Sequence, residues 1–203
     1  MRKSIFDIMI QNKTNFGRKL STMVAAVMLA SVAAMSLVCC SEKTHKYRIG
    51  ISQCSDDSWR QKQNSEFRFM SYINDSVEVD IKSAKDNNAQ QAAQIDSLVD
   101  EGIDLLVVCP NQLDGVTKAI ERAYDKGIPV IFFDRTTNSN KYTAFIGCDN
   151  YRIGFDLGTY IANQLNGSGR VVEIRGLDNS SPAKGRHEGF VDALKNYPDV
   201  KIV

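Results

Sequence analysis

The stretch Asp100-Glu101-Gly102-Ile103-Asp104-Leu105-Leu106-Val107-Val108 decides the fold, and Asp125-Lys126-Gly127-Ile128-Pro129-Val130-Ile131-Phe132-Phe133 repeats its design. Each closes a helix with glycine and enters a strand almost at once. Glycine just past a helix end takes the left-handed conformation without a Cβ penalty, and this turns the chain sharply. Pro129 fits the first residue of a strand, where no ladder donor is lost. Leu105 to Val108 is a continuous apolar run, the pattern of a central parallel strand covered on both faces.

Outward from these joints, apolar runs alternate with amphipathic stretches. Strands are expected over Tyr47–Ser52, Val77–Ile81, Pro129–Phe133, Tyr142–Gly147 and Val171–Ile174, with another starting at Val200. Helices are expected over Ser58–Ile73, Gln90–Asp100, Val116–Lys126, Gly154–Leu165 and Lys184–Tyr197. In the first helix Trp59, Phe67 and Met70 recur at helical intervals; in the second, Ala93, Ile95, Leu98 and Val99 are expected to face inward. Val77 to Ile81 alternates strictly, which places it near a sheet edge with one face wet. Strict β–α alternation with short joints predicts an α/β fold: a doubly wound parallel sheet with helices on both faces. Residues 47–165 suffice for one complete lobe. Residues 166–203 hold little more than one further β–α unit of about 30 residues, so an incomplete second lobe and a truncated chain are expected.

The first 40 residues read differently. Arg2, Lys3, Lys13, Arg18 and Lys19 stand there against Asp7 alone, while the remainder carries 20 Lys+Arg against 23 Asp+Glu. No charge interrupts the run from Ser21 to Ser41, and Met23 to Val38 is almost wholly apolar. A basic head before an apolar run reads as a signal peptide or a membrane anchor over 1–40, followed by a linker over 41–46. Leu37-Val38-Cys39-Cys40 resembles a lipoprotein cleavage motif, with Cys40 the lipid acceptor. Uncut, residues 20–41 would instead tether the protein with Arg18-Lys19 on the cytoplasmic side. Either way the body works outside the inner membrane, a periplasmic location tethered to a membrane.

The body's near-neutral charge argues against nucleic acid as a partner. No Walker A, G-x-S-x-G or G-x-G-x-x-G run occurs, and the two histidines, His45 and His187, give a triad or metal cluster little to use. No enzyme, metal or cofactor is therefore expected. Cys54, Cys109 and Cys148 follow the leader. Such thiols are ordinarily small buried hydrophobes, and three do not make a disulfide scaffold. A Cys54–Cys109 bond requires that the strands bearing them be neighbours.

In an open α/β sheet, ligands bind beyond the carboxyl ends of the strands. Those ends carry Ser52, Gln53, Asp57, Trp59 and Arg60, then Cys109 and Asn111, then Asp134 and Arg135, then Asp149. A rim of carboxylates, guanidinium groups and amides with one indole suits a neutral polyol: carboxylates accept hydroxyl protons, guanidinium forks donate, and an indole covers a sugar's C–H face. Charge-assisted hydrogen bonds contribute about 1.5–3 kcal/mol each, and micromolar binding needs about 8 kcal/mol net. Plainer readings stand beside this one. Asp134-Arg135 suits a structural ion pair, Asp56-Asp57 a helix N-cap, and Trp59 a core position.

Tyr47-Arg48-Ile49-Gly50, Glu101-Gly102-Ile103-Asp104, Gly127-Ile128-Pro129-Val130 with Phe133-Asp134-Arg135, Asp149-Asn150 and Gly185-Arg186-His187-Glu188-Gly189-Phe190 resemble, in order and spacing, the type I periplasmic sugar-binding proteins of the ribose-binding kind. The resemblance implies two α/β lobes closing on a monosaccharide. It places Asp134 and Arg135 on the family's acidic–basic pair that grips hydroxyls, and Arg186 on a second sugar-binding arginine from the C-terminal lobe. It puts Asp57 near the first-loop polar contact and Trp59 where an aromatic stacks on the ring. The ribose pattern has a second aromatic where Arg60 stands and an Asn where Cys109 stands. Ser52-Gln53 followed by Trp59-Arg60 is more similar to galactofuranose-type binders. The body throughout, including Ser181-Pro182, is most similar to the periplasmic sensor domains of hybrid two-component carbohydrate regulators. The resemblance therefore implies either the input segment of a hybrid histidine kinase with downstream signalling domains, or the substrate-binding (lipo)protein of a sugar ABC transporter with its permease as partner.

Overall fold

Gly102 and Gly127 adopt φ of +78° and +85°, so both helix-to-strand joints turn as the sequence predicts. The computed structural model describes residues 46–203; the leader, the linker up to His45 and Cys40 lie outside them. No helix among the described residues is long and apolar enough to cross a membrane.

The chain runs β1 (Tyr47–Gln53), α1 (Ser58–Ile73), β2 (Val77–Ser83), α2 (Asn88–Asp100), β3 (Leu105–Val108), α3 (Thr117–Asp125), β4 (Val130–Phe133), β5 (Ala144–Ile146), α4 (Asn150–Gln164), β6 (Ser168–Val171), α5 (Ser181–Leu194) and β7 (Asp199–Ile202). The first five strands form one sheet in the order β2-β1-β3-β4-β5, every pair parallel. Strand order reverses between β1 and β3: the chain leaves β1 toward β2, then returns to the other side of β1. That switch point is where a doubly wound sheet opens a crevice.

The α2 and α3 layer packs tightly on one face. Ile95, Leu98 and Ile120 meet Leu106, Val108, Val130 and Phe132 in a fully buried cluster. Burying side chains of this size contributes about 1.5–3 kcal/mol each. The opposite face carries α1, whose Phe67 packs edge-on against Phe133 with ring centroids 6.1 Å apart.

Two inward faces are corrected. In α1 the buried residues are Arg60 and Asn64, while Trp59 and Met70 are 65% and 54% exposed. In α2, Ala93 points to solvent and Gln91 takes the inward place, with Ile95 and Leu98 following at helical spacing. A periodicity read only from apolar residues misplaces a helix whose buried face is polar.

The remaining elements form a second packing group. α4 packs chiefly on α5, although the sequence reading assigns it to the lobe over 47–165. The reason is glycine: a Cβ on Gly154 would collide with the Arg186 carbonyl, and one on Gly189 with the Tyr151 carbonyl. The two backbones therefore approach directly. Phe190, Leu194 and Ala162 bury against Val200 of the parallel pair β6–β7. β6 ends at Val171, short of the expected Ile174, which is 94% exposed; its partner β7 supplies only four residues of ladder. Two hydrogen bonds tie this group to the loops at the carboxyl edge of the sheet. Leu113 N–H donates to the Asn179 carbonyl at 2.8 Å and Thr136 N–H to Ser181 Oγ at 2.9 Å.

Candidate functional site

At the switch point the chain buries polar groups instead of apolar ones. α1 begins just beyond β1, capped by Asp57, whose Oδ1 accepts the Arg60 N–H at 2.9 Å and whose Oδ2 accepts Ser55 Oγ–H at 2.6 Å. These two hydrogen bonds, the Ser55 hydroxyl first, hold the Asp57 carboxyl below the usual aspartate range. The cap aims Arg60 inward, where its side chain is only 3% exposed. There the guanidinium donates to Asp134 Oδ2 and to Gln63 Oε1, the latter at 2.9 Å. Burial works against the charge, yet the Asp134 carboxylate that accepts its hydrogen bond holds the Arg60 pKa above the ordinary arginine value.

Asp134 follows β4 and stands at φ +66°, a left-handed conformation that costs a non-glycine residue roughly 1 kcal/mol. Its N–H donates to the Ile146 carbonyl at 2.8 Å, so the paired strand β5 holds the strained turn. Such strain persists where surrounding structure enforces it, and it clusters at binding sites. Arg135, next along, donates from Nη1 to the Asn111 carbonyl at 3.2 Å.

Beneath the rim lies a second tier. Gln91, fully buried on α2, donates to Ser52 Oγ at 3.2 Å and the Cys109 carbonyl at 2.8 Å, and accepts the Asn111 N–H at 2.9 Å. Gln53 donates to Asn64 Oδ1 at 2.9 Å. Asn111 donates to the Asp86 carbonyl at 3.0 Å and Asn88 Oδ1 at 2.9 Å. Gln53 Oε1, Arg60 Nε and Asn111 Oδ1 are buried with no hydrogen-bond partner among the described residues. A buried polar atom left so costs about 1–3 kcal/mol, and hydroxyls of a bound molecule would satisfy both the acceptors and the donor.

Of the sequence-predicted residues, Ser52, Asp57, Arg60, Cys109, Asn111, Asp134 and Arg135 thus meet at the carboxyl edge of the sheet, where Gln53 pairs separately with Asn64. Trp59 lies in the first turn of α1, largely exposed. Asp149 is elsewhere: it caps α4, accepting the Arg152 N–H at 2.9 Å. Arg186 is held by Asn150 Oδ1 at 2.9 Å and lines a different cavity, of about 240 Å³, with Leu157, Glu173, Arg175 and Phe190. Sequence reasoning missed Gln91, Asn64 and Gln63. The available signal was a polar residue at an inward helical position, spaced four residues from Ile95 and from Arg60 respectively for Gln91 and Asn64.

Comparison with known proteins places this geometry. The periplasmic binding protein domain family matches residues 51–203. Among solved structures, the fructose-binding periplasmic domain of a hybrid two-component system is 48% identical with a TM-score of 0.74, over 77% of this chain and 52% of that one. The ribose import binding protein of Bacillus subtilis is 27% identical over 62% of this chain and 40% of its own length. The galactofuranose-binding protein of Escherichia coli is 25% identical over 89% of this chain and 56% of its own. The chain spans about half the length of the curated relatives it matches.

Proposed function

Since the chain belongs to the periplasmic binding protein domain family, we propose that it forms the sugar-binding part of an extracytoplasmic receptor, one that binds a monosaccharide reversibly and without chemistry. The observation that carries this reading is the Arg60–Asp134–Arg135 rim at the switch point, with three unpartnered buried polar atoms behind it. Asp134 and Arg135 grip hydroxyls, Asp57 fixes the Arg60 approach, and Trp59 covers one ring face. The second lobe begins near Asp149 and brings Arg186 from across the cleft. Its closure on the ligand is the output, driven by the ligand's higher affinity for the closed state.

Within that role we favour the input segment of a hybrid histidine kinase, supported by 48% identity to a fructose-binding domain of such a system. The second reading, a transport receptor, is supported by the ribose import and galactofuranose-binding relatives. Residues 20–41, or a lipid on Cys40, would tether either one to the membrane.

D-fructose is the first probe. In the full gene product it should raise the melting temperature of the wild type and leave Asp134→Ala and Arg135→Ala unmoved. Equal stabilisation of wild type and both variants removes the pair from the site. Fructose-dependent autophosphorylation supports the sensor; fructose uptake lost on deletion without any phosphoryl signal supports the transporter.

A further inference from the structure

We propose that Cys54 and Cys109 are a disulfide-forming pair that staples the β1–α1 loop to the loop after β3, directly beneath the rim. Their sulfurs lie 3.6 Å apart as free thiols, and both side chains are buried. The condition set by the sequence is met, because β1 and β3 are paired neighbours with Ser52 opposite Val108. The Cys109 N–H donates to the Ser52 carbonyl at 2.9 Å, which fixes the two backbones beside each other. A disulfide needs the sulfurs at about 2.05 Å, so the bond requires them to close by about 1.5 Å from their present contact. Cys148, the third thiol of the body, is exposed just past β5.

These thiols do not sit as buried hydrophobes. Cys109 Sγ is 4.0 Å from Asp134 Oδ2, and Arg60 and Arg135 add positive charge around the pair. The contact between the two sulfurs lowers the Cys54 thiol against the effect of burial, with Arg135 and Arg60 helping. The same contact, with burial, pushes the Cys109 thiol up. Either sulfur of the contact can carry the shared proton.

The oxidant is a low-molecular-weight disulfide, met as the chain folds or when the first turn of α1 opens. One of the two cysteines gives its proton to water, and its thiolate attacks one sulfur of that disulfide and expels the other half as a thiolate. The second cysteine gives its proton to the expelled thiolate and attacks the protein sulfur of the mixed disulfide, releasing the second half as a thiolate that takes a proton back from water. Two protein thiols lose two electrons and one external disulfide becomes two thiols. The linkage closes a loop between residues 55 positions apart in sequence and ties together the segments that carry Arg60 and Asn111. The proposal stands on sulfur geometry and is independent of the sugar reading.

The test equilibrates the full chain with glutathione buffers from reducing to oxidising, traps thiols by alkylation and maps peptides by mass. The expected result is a Cys54–Cys109 cross-link at the oxidising end, with the melting temperature raised by about 5–10 °C and returned by reductant. Cys54→Ser and Cys109→Ser should lose both effects, and Cys148→Ser should keep them. The wild-type titration decides the matter even if a variant fails to fold. The proposal is overturned if both thiols stay alkylatable throughout, if Cys148 or a glutathione adduct takes the place of the cross-link, or if the cross-link forms without raising the melting temperature.

Discussion

The middle of the five-stranded sheet and its carboxyl edge are buried to the same degree and filled with opposite chemistry. Midway along the strands, Leu106, Val108 and Phe132 are fully buried and pack into an apolar cluster with residues of α2 and α3. A residue or two further on, Ser52, Gln53, Cys109 and Asn111 are equally hidden, joined by Arg60, Asn64 and Gln91. Apolar burial stabilises in proportion to area, whereas polar burial is near neutral when every group is bonded and costly when one is not. The edge keeps three such orphan atoms. The middle of the sheet is built for stability, and the edge gives some of that stability up in burying polar groups.

Three experiments break or sharpen this contrast. The largest effect is expected at Phe132→Ala, where an unrelieved cavity among Ile95, Ile120 and Val130 should cost about 3–5 kcal/mol in urea unfolding. A loss under 1 kcal/mol would mean that the middle of the sheet is not the stability core.

Gln91→Leu is the sharper comparison, since it asks whether the edge obeys the rules of the middle. Leucine removes the partners of Ser52 Oγ, the Cys109 carbonyl and the Asn111 N–H at once. A loss of about 1–3 kcal/mol is expected, and a gain in stability would show that the polar tier is replaceable by packing.

The smallest effect is expected at Asp57→Ala, about 1 kcal/mol for a lost N-cap. It carries a pH signature. The folded-state pKa of Asp57 is depressed, so its contribution is present above the unfolded value of about 3.9 and lost as pH falls through the folded value. The gap between wild type and variant should be full at pH 7 and vanish under acid. A gap independent of pH would assign the effect to something other than the carboxylate.

The alternation of strands and helices and the joints between them were legible because they rest on local rules: Gly102 and Gly127 after helices, Pro129 opening a strand, Leu105 to Val108 without a polar break. The meeting of Arg60, Asp134, Asn111 and Arg135 was legible as residues sharing one edge. That Arg60 turns inward while Trp59 stays in solvent was not legible from apolar spacing, since the helix buries its polar side. Gln91 escaped for the same reason. The change of packing group at Asp149 escaped because it depends on Gly154 and Gly189, whose role is set by a backbone that only the folded molecule brings near.

That glycine contact has a mechanical consequence. At Gly154 and Gly189 the backbones of α4 and α5 leave no room for even a methyl group, so a larger residue at either position must push the helices apart. That separation would draw Arg186 away from Asn150, which its Nε meets across the same seam at 2.9 Å.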